Sequence, residues 1–256
     1  MDVIGSMVIL LIELLAVLGL LLWTDRWLHR HLQGLMFLLT QDQELALWLY
    51  AIVLLPGVLL HELSHALVAV LVGVKIGRIN ILPQRAGKRI QLGFVPVQQT
   101  DFLRASLIGG APLLFGSIVV VAVGYGVFAT PELMGALSAG DLRTAFTLFV
   151  ALLRAPDVWI WVYLIFAVSN TMLPSRSDVH AWPFLGFVVA LIAGFIVFIG
   201  GASVLLDSVG RFLTVVVRWV ILLGASTVLV DLPIFLLIYL AIKIVERFRG
   251  VRLEYK

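Results

Sequence analysis

Long apolar runs are the feature that most constrains the fold of this chain. They recur from one end of the sequence to the other, and most of them exceed the roughly 18 residues that a helix needs to cross a bilayer. Only 13% of the residues are charged, which is about half the usual share in a soluble domain. The sequence therefore predicts an all-α polytopic membrane protein, organised as a single domain over residues 1–256.

The apolar runs predict about six transmembrane helices. Their expected bounds are 3–23, 45–73, 102–129, 158–172, 184–206 and 213–245. The first span is expected to leave the membrane after Trp23, with His29 in the solvated loop that follows. Six spans would put both termini, the 75–104 loop and the 174–182 segment on one side, together with twelve of the 18 Lys and Arg residues. This excess predicts a multi-pass cell-membrane protein with both termini in the cytoplasm.

The second predicted span contains the sequence HELSH, in which His61, Glu62 and His65 interrupt an otherwise apolar run. Two imidazoles and a carboxylate are costly in hydrocarbon, so their presence favours a functional role. On a helix, His61 and His65 share one face, where a single metal ion can bind both. Glu62 points beside that metal and can hold a water molecule for deprotonation. This is the HExxH pattern of zinc metalloproteases; the alternative is two buried histidines that only hydrogen-bond neighbouring helices.

Cysteine content and charge narrow the possible ligands and partners. The chain has no cysteine, which excludes disulfides, thiolate metal sites and a cysteine nucleophile and leaves His and carboxylate as metal ligands. The formal net charge is +3, but the basic residues adjoin apolar spans, where they orient the protein and contact anionic lipid heads. We therefore expect contact with the lipid bilayer and no nucleic-acid partner. The oligomeric state is not predicted.

Two polar segments interrupt the apolar sequence after the HELSH span. Residues 75–100 contain β-type runs at 78–82 and 89–97 around a PQRAGK turn, which predicts a small β-hairpin at the membrane surface. Its edge could pair with an extended substrate, or the hairpin could be a simple connection. Farther on, Asn170, Asp178 and His180 lie in a polar break. Irregular backbone at such depth is tolerated where it lines a cavity, so this break could supply a third metal ligand.

Taken together, these motifs resemble the site-2 protease family of intramembrane zinc metalloproteases. The resemblance covers residues 45–182, the three-helix catalytic core of that family, and rests on HELSH, the surface hairpin, a Gly-rich span and an Asn–Pro–Asp break. It implies Zn²⁺ as cofactor and Asp178 as the third ligand, with Asn170 as the family's Asn; His180 is the alternative ligand. Pro174 lies one residue later than is common in the family, and Val179 replaces the usual Gly.

The resemblance implies that the chain is a zinc metalloendopeptidase that cleaves membrane-protein substrates in or near their transmembrane segments. His61, His65 and Asp178 would hold Zn²⁺ and leave a position open for water. Glu62 would take the proton from that water and deliver it to the leaving amine. Asn170 would hydrogen-bond the substrate backbone or the oxyanion.

Other functions use the same residues differently. A membrane metal carrier needs ionisable residues along a path through the bilayer, and Glu13, Arg218 and Asp231 form no evident series with HELSH. A catalytically inactive membrane scaffold could keep every motif residue. A prenyl-protein type of HExxH protease would need a downstream Glu ligand within an apolar helix, for which Glu132 and Glu246 are poorly placed.

Overall fold

The computed structural model describes residues 3–86, 89–128, 130–199 and 202–251, and this part of the chain is mostly helical, as predicted. Two short strands lie between the second and third helices. The elements are α1 (Val3–Thr40), α2 (Gln43–Leu71), β1 (Gln84–Ala86), β2 (Arg89–Gln91), α3 (Phe102–Gly126), α4 (Thr130–Ser138), α5 (Leu142–Leu153), α6 (Val158–Ser169), α7 (Trp182–Phe198) and α8 (Ala202–Arg249).

Within the described residues, three helices are long and apolar enough to cross a membrane. They are α2, α3 and residues 210–249 of α8. Helices α5 and α6 meet the same criteria only as a pair bent by 94°, so the number rises to four if that pair is one span. The prediction of six spans is therefore not supported. For the predicted span at 158–172 the reason is helix length, because α6 has 12 residues and extends about 18 Å, too short for the roughly 30 Å hydrocarbon layer.

Helix α1 differs most from its predicted form. It does not end near Trp23 but continues to Thr40 through Asp25, Arg26 and Arg30, and it is not among the candidate spans. The expectation that His29 lies in a solvated loop is wrong, since His29 is helical and only partly exposed. Charged residues in the sequence indicate contact with water, whereas the His29 side chain bonds Tyr50 of α2 and the Asn170 carbonyl at the end of α6.

The segment between α2 and α3 is mostly extended chain with little regular strand. Strands β1 and β2 pair antiparallel but have three residues each, so the longer predicted runs at 78–82 and 89–97 do not form a regular hairpin. Isolated bridges join Ile76 to Val97 and Asn80 to Phe94. A few backbone hydrogen bonds thus hold residues 91–100, called the 91–100 segment below, beside residues 75–80.

Two larger apolar clusters hold the helices together, besides a smaller one between α2 and α3. One lies between α1, α2 and α8 and includes Leu28, Leu54 and Ile238. The other lies between α3 and α6 and includes Val123 and Ile165. Helix α2 belongs to the first cluster and also contacts α3 and α6, so the HELSH helix is enclosed on several sides.

Helices α1 and α8 lie side by side and run in the same direction. Three contacts in step along both helices establish this: Leu21 with Gly224, Trp27 with Phe235, and Leu39 with Arg249. The end of α8 therefore lies where α1 ends and α2 begins, whereas the 75–104 loop follows the opposite end of α2. The six-span prediction required α1 and α8 to run in opposite directions, so the structure differs from it in topology as well as in span number.

Candidate metal centre

Helix α2 carries HELSH into close contact with α6. The Asp42 carboxylate caps the helix by accepting from the backbone N–H groups of Glu44 and Leu45. One turn before His61, a Cβ on Gly57 would lie 2.0 Å from the Ala167 carbonyl oxygen. Because only glycine fits such an approach, the two backbones touch here. The end of α6 is thereby brought beside the first histidine.

The side chains of His61, His65 and Asp178 converge on one point. The two Nε2 atoms are 3.1 Å apart, and the Asp178 carboxylate lies 3.4 Å from His65 Nε2 and 3.8 Å from His61 Nε2. A tetrahedral zinc ion with Zn–N distances of about 2.0 to 2.1 Å separates its ligand atoms by about 3.3 Å. The three residues could therefore hold a metal ion, and their atoms lie within 4.8 Å of one another. We call them the metal-ligand group.

Backbone carbonyls orient both imidazoles. His61 Nδ1 donates to the Thr171 carbonyl at 2.6 Å, and His65 Nδ1 donates to the Ile108 carbonyl at 2.8 Å. A carbonyl oxygen only accepts, so each Nδ1 carries the proton and each Nε2 presents a lone pair to the shared point. Metal-ligating histidines are typically held in this way through the nitrogen that does not bind the metal.

Asp178 is held from its own turn and from α3. Its Oδ2 accepts from the Ser175 backbone N–H at 2.7 Å. A Cβ on Gly109 would lie 1.9 Å from the Asp178 carbonyl oxygen, so the Asp178 backbone rests directly on α3. His180, the alternative third ligand, is exposed and hydrogen-bonds the Ser177 carbonyl. The metal-ligand group contains Asp178 and does not contain His180.

Glu62 lies beside the metal-ligand group, beneath the 91–100 segment, and is 7% exposed. The Val95 backbone N–H hydrogen-bonds its carboxylate. A Cβ on Gly93 would lie 2.7 Å from its Oε1, so the segment packs on the Glu62 side chain without a gap. Sequence spacing predicted where Glu62 would point, but not that the 91–100 segment would cover it.

Asn170 ends α6 at the edge of the site. Its Nδ2 donates to Asp231 Oδ1 and to the Phe166 carbonyl, both at 2.9 Å. Its amide hydrogens therefore point to α8 and to its own helix. The carbonyl of Asn170 accepts from His29 Nε2 at 3.1 Å. Sequence patterns did not connect His29 or Asp231 with this site; the only signal was the presence of ionisable residues in apolar surroundings.

A cavity of about 920 Å³ opens onto these side chains. Its walls are the HELSH face of α2, the start of α3, the 91–100 segment and residues 170–180. Next to Thr100, which lines the cavity, Asp101 caps α3, and the backbone N–H of Arg104 holds the pKa of that carboxyl below its ordinary value. The cap is thus ionised at neutral pH and fixes the point where the loop enters α3.

The fold and site together define a mostly helical protein with three helices that could span a membrane and a half-buried group that could hold a metal ion. No protein-family model matches the chain, and the comparisons with curated proteins and with solved structures found no match. The resemblance to site-2 proteases therefore stays a prediction.

Proposed function

We propose that this chain is an intramembrane zinc metalloprotease of the site-2 protease type, which hydrolyses peptide bonds in or near transmembrane segments of other membrane proteins. The observation that carries the proposal is the convergence of two imidazole Nε2 atoms and one carboxylate, with a second carboxylate beside them, inside one cavity. Two His and one carboxylate are an established ligand set for hydrolytic zinc.

In this proposal, three side chains bind the metal and a fourth transfers the proton. His61, His65 and Asp178 would hold Zn²⁺, which when bound supplies a Lewis acid and lowers the pKa of a water molecule to about 7. Glu62 accepts the proton of the attacking water and passes it to the leaving amine. The hydrogen bond from Val95 and the contact with Gly93 hold the Glu62 carboxylate in place for both transfers.

The 91–100 segment is a candidate surface for the substrate backbone. Phe94, Pro96 and Gln98 use their backbone groups to pair with residues 75–80. Because the direction of backbone groups alternates along extended chain, the residues between them turn their groups to the opposite edge, on the cavity side. An unwound substrate could add along that edge as a strand. Unwinding is required, since a helix keeps its carbonyls in internal hydrogen bonds.

The rival functions have less support from the contacts. Glu13 and Arg218 are exposed on the outer faces of α1 and α8, and Asp231 is bonded to Asn170, so these residues do not continue a metal path from the metal-ligand group. Glu246 pairs with Lys243, which argues against its use as a zinc ligand. An inactive scaffold would keep the same geometry, and only an activity measurement separates it from the protease.

The test is to purify the chain in detergent, measure bound zinc, and compare cleavage of a model membrane substrate by the wild type and Glu62→Gln. Glutamine keeps the shape of the side chain but cannot take a proton. We expect the variant to keep its zinc and to lose cleavage by at least about 100-fold. Asp178→Ala should lose zinc and His180→Ala should keep it.

Two results would count against the protease. A Glu62→Gln variant that keeps both zinc and full cleavage would show that Glu62 is not the base. A wild type that moves zinc across liposomes but cuts nothing would favour the carrier.

A further inference from the structure

A chain of hydrogen bonds links four helices next to the cavity. Tyr50 of α2 bonds His29 Nδ1 at 2.6 Å, and His29 Nε2 bonds the Asn170 carbonyl at 3.1 Å. The Asn170 side chain in turn bonds Asp231 of α8 at 2.9 Å. Asp25 Oδ1 also lies 3.1 Å from His29 Nε2. Asn170, at the end of α6, is therefore held from α1 on one side and from α8 on the other.

The donors and acceptors of this chain have one consistent order. The Asn170 carbonyl and the Asp25 carboxylate can only accept, so His29 Nε2 carries a proton and donates. In the neutral imidazole, His29 Nδ1 is then the acceptor for the Tyr50 hydroxyl. Asn170 Nδ2 donates to the Asp231 carboxylate, which is 2% exposed. A buried carboxylate is costly unless it is hydrogen-bonded. The bond from Asn170 therefore stabilises Asp231 and at the same time fixes the Asn170 side chain.

This chain of hydrogen bonds reaches Asn170, one residue before the backbone carbonyl that orients the metal ligand His61. The Thr171 carbonyl, next to the one that His29 holds, accepts from His61 Nδ1 at 2.6 Å. Asp178 follows on the same connection, and its backbone rests on α3. A shift of residues 170 and 171 would therefore turn the His61 ring and move the start of the segment that carries Asp178.

We propose that His29 and Asp231 are positioning residues of the metal centre. Neither residue belongs to the metal-ligand group, although His29 also lines the cavity, and they act by fixing the carbonyls of residues 170 and 171. Helices α1 and α8 would then take part in metal binding although they lie outside residues 45–182. The inference rests on the proposed function only in treating the group as a metal site, and its test does not require cleavage.

The first test compares zinc affinity, measured by competition with a chelator, among variants of α8. Asp231→Leu removes the acceptor for Asn170 and should weaken zinc binding by about tenfold or more. Asp231→Asn keeps an acceptor oxygen and should bind zinc nearly as the wild type does. The matched control is Thr227→Val, one turn away on the same helix, because Thr227 is equally buried and its hydroxyl has no partner among the described residues.

The second test separates the two bonds of His29. In His29→Gln the amide nitrogen takes the place of Nε2 and can still donate to Asn170, whereas in His29→Asn the amide oxygen takes the place of Nδ1 and serves only Tyr50. We expect zinc affinity to be nearly kept by the Gln variant and lowered by the Asn variant. These two variants show whether the bond from residue 29 to Asn170 supports zinc binding, even if Asp231→Leu does not fold.

Three outcomes would overturn the inference. One is wild-type zinc affinity in both Asp231→Leu and His29→Asn. Another is an equal loss in Thr227→Val, which would indicate general packing. The third is an equal loss in the two His29 variants. A wild type that binds zinc but cleaves nothing would refute the proposed function and leave this inference standing.

Discussion

Gly109 of α3 leaves room for the backbone of the metal ligand Asp178. Its missing Cβ leaves space for the Asp178 carbonyl oxygen, which would lie 1.9 Å from that atom, so Gly109→Ala should push the Asp178 backbone off α3. We expect zinc affinity, measured by chelator competition, to fall at least about tenfold.

Gly110 is the matched control, because a Cβ there meets only Trp182, at 3.7 Å, an ordinary contact distance. Gly110→Ala should keep wild-type zinc affinity. Equal affinity in the two alanine variants would show that Asp178 does not depend on its contact with α3.

Gly93 affects the base and not the metal ligands. An alanine Cβ would come within 2.7 Å of Glu62 Oε1, so the carboxylate must move away from its present position. Misplacement of a catalytic group by about 1 Å can cost about 100-fold in rate. Under the proposed function, Gly93→Ala should therefore lower kcat by about that factor while the zinc content stays at the wild-type level. Loss of zinc in this variant would contradict the separate roles of Glu62 and the metal-ligand group.

At the scale of elements, the contact of α2 with α6 sets the stability of the site. Gly57→Ala would place a Cβ 2.0 Å from the Ala167 carbonyl and 2.2 Å from Thr171 Oγ1, so the two helices must separate. We expect unfolding free energy to fall by about 1 to 3 kcal/mol, seen as a lower Tm in detergent with a chelator present to remove any effect of bound metal.

Gly19→Ala provides the comparison for this measurement. Gly19 lies in α1, and a Cβ added there would have nothing within 4 Å of it, while alanine is favoured over glycine inside a helix. Its Tm should stay level or rise. A Tm for Gly57→Ala as high as that of Gly19→Ala would mean that α2 and α6 do not pack closely.

Features that depend on neighbouring residues could be predicted from the sequence, whereas features that depend on contacts between helices could not. The shared face of His61 and His65 follows from helix geometry alone, so their convergence could be predicted. The choice of Asp178 needed a family pattern, because no local rule brings a residue more than a hundred positions away to that face. The continuation of α1 was missed because it depends on contacts with other helices: His29 bonds Tyr50 of α2 and Asn170, which lies 141 positions away.

At the scale of the whole molecule, the helix directions form an alternating order. Helix α3 runs opposite to α2, α6 runs opposite to α3, and α8 runs parallel to α1 and so opposite to α2. Four spans of alternating direction result if the bent pair of α5 and α6 is one of them. Lys243, Arg247 and Arg249 then lie at the end of α2 opposite the 75–104 loop, so the count of basic residues no longer supports the predicted orientation of the termini.

This topology can be tested because the chain has no native cysteine. Single cysteines at Leu82, in the loop, and at Phe248, near the end of α8, would be well exposed, since the native side chains are 53% and 86% exposed. We expect a membrane-impermeant maleimide to label them from opposite sides of sealed vesicles. The cysteine-free wild type gives the background. Labelling of both from one side would favour the six-span topology instead.

The alternating backbone of the 91–100 segment has a consequence for substrate choice. Every residue has a main-chain carbonyl that accepts hydrogen bonds, and every residue except proline also has an N–H that donates, so a substrate strand added there would be recognised with little regard to its side chains. Under the proposed function, the rate of cutting would depend on how readily a transmembrane helix frays, and helices that contain Gly or Pro would be cut fastest. Selection of targets would then be a matter of conformational kinetics more than of a consensus cleavage sequence.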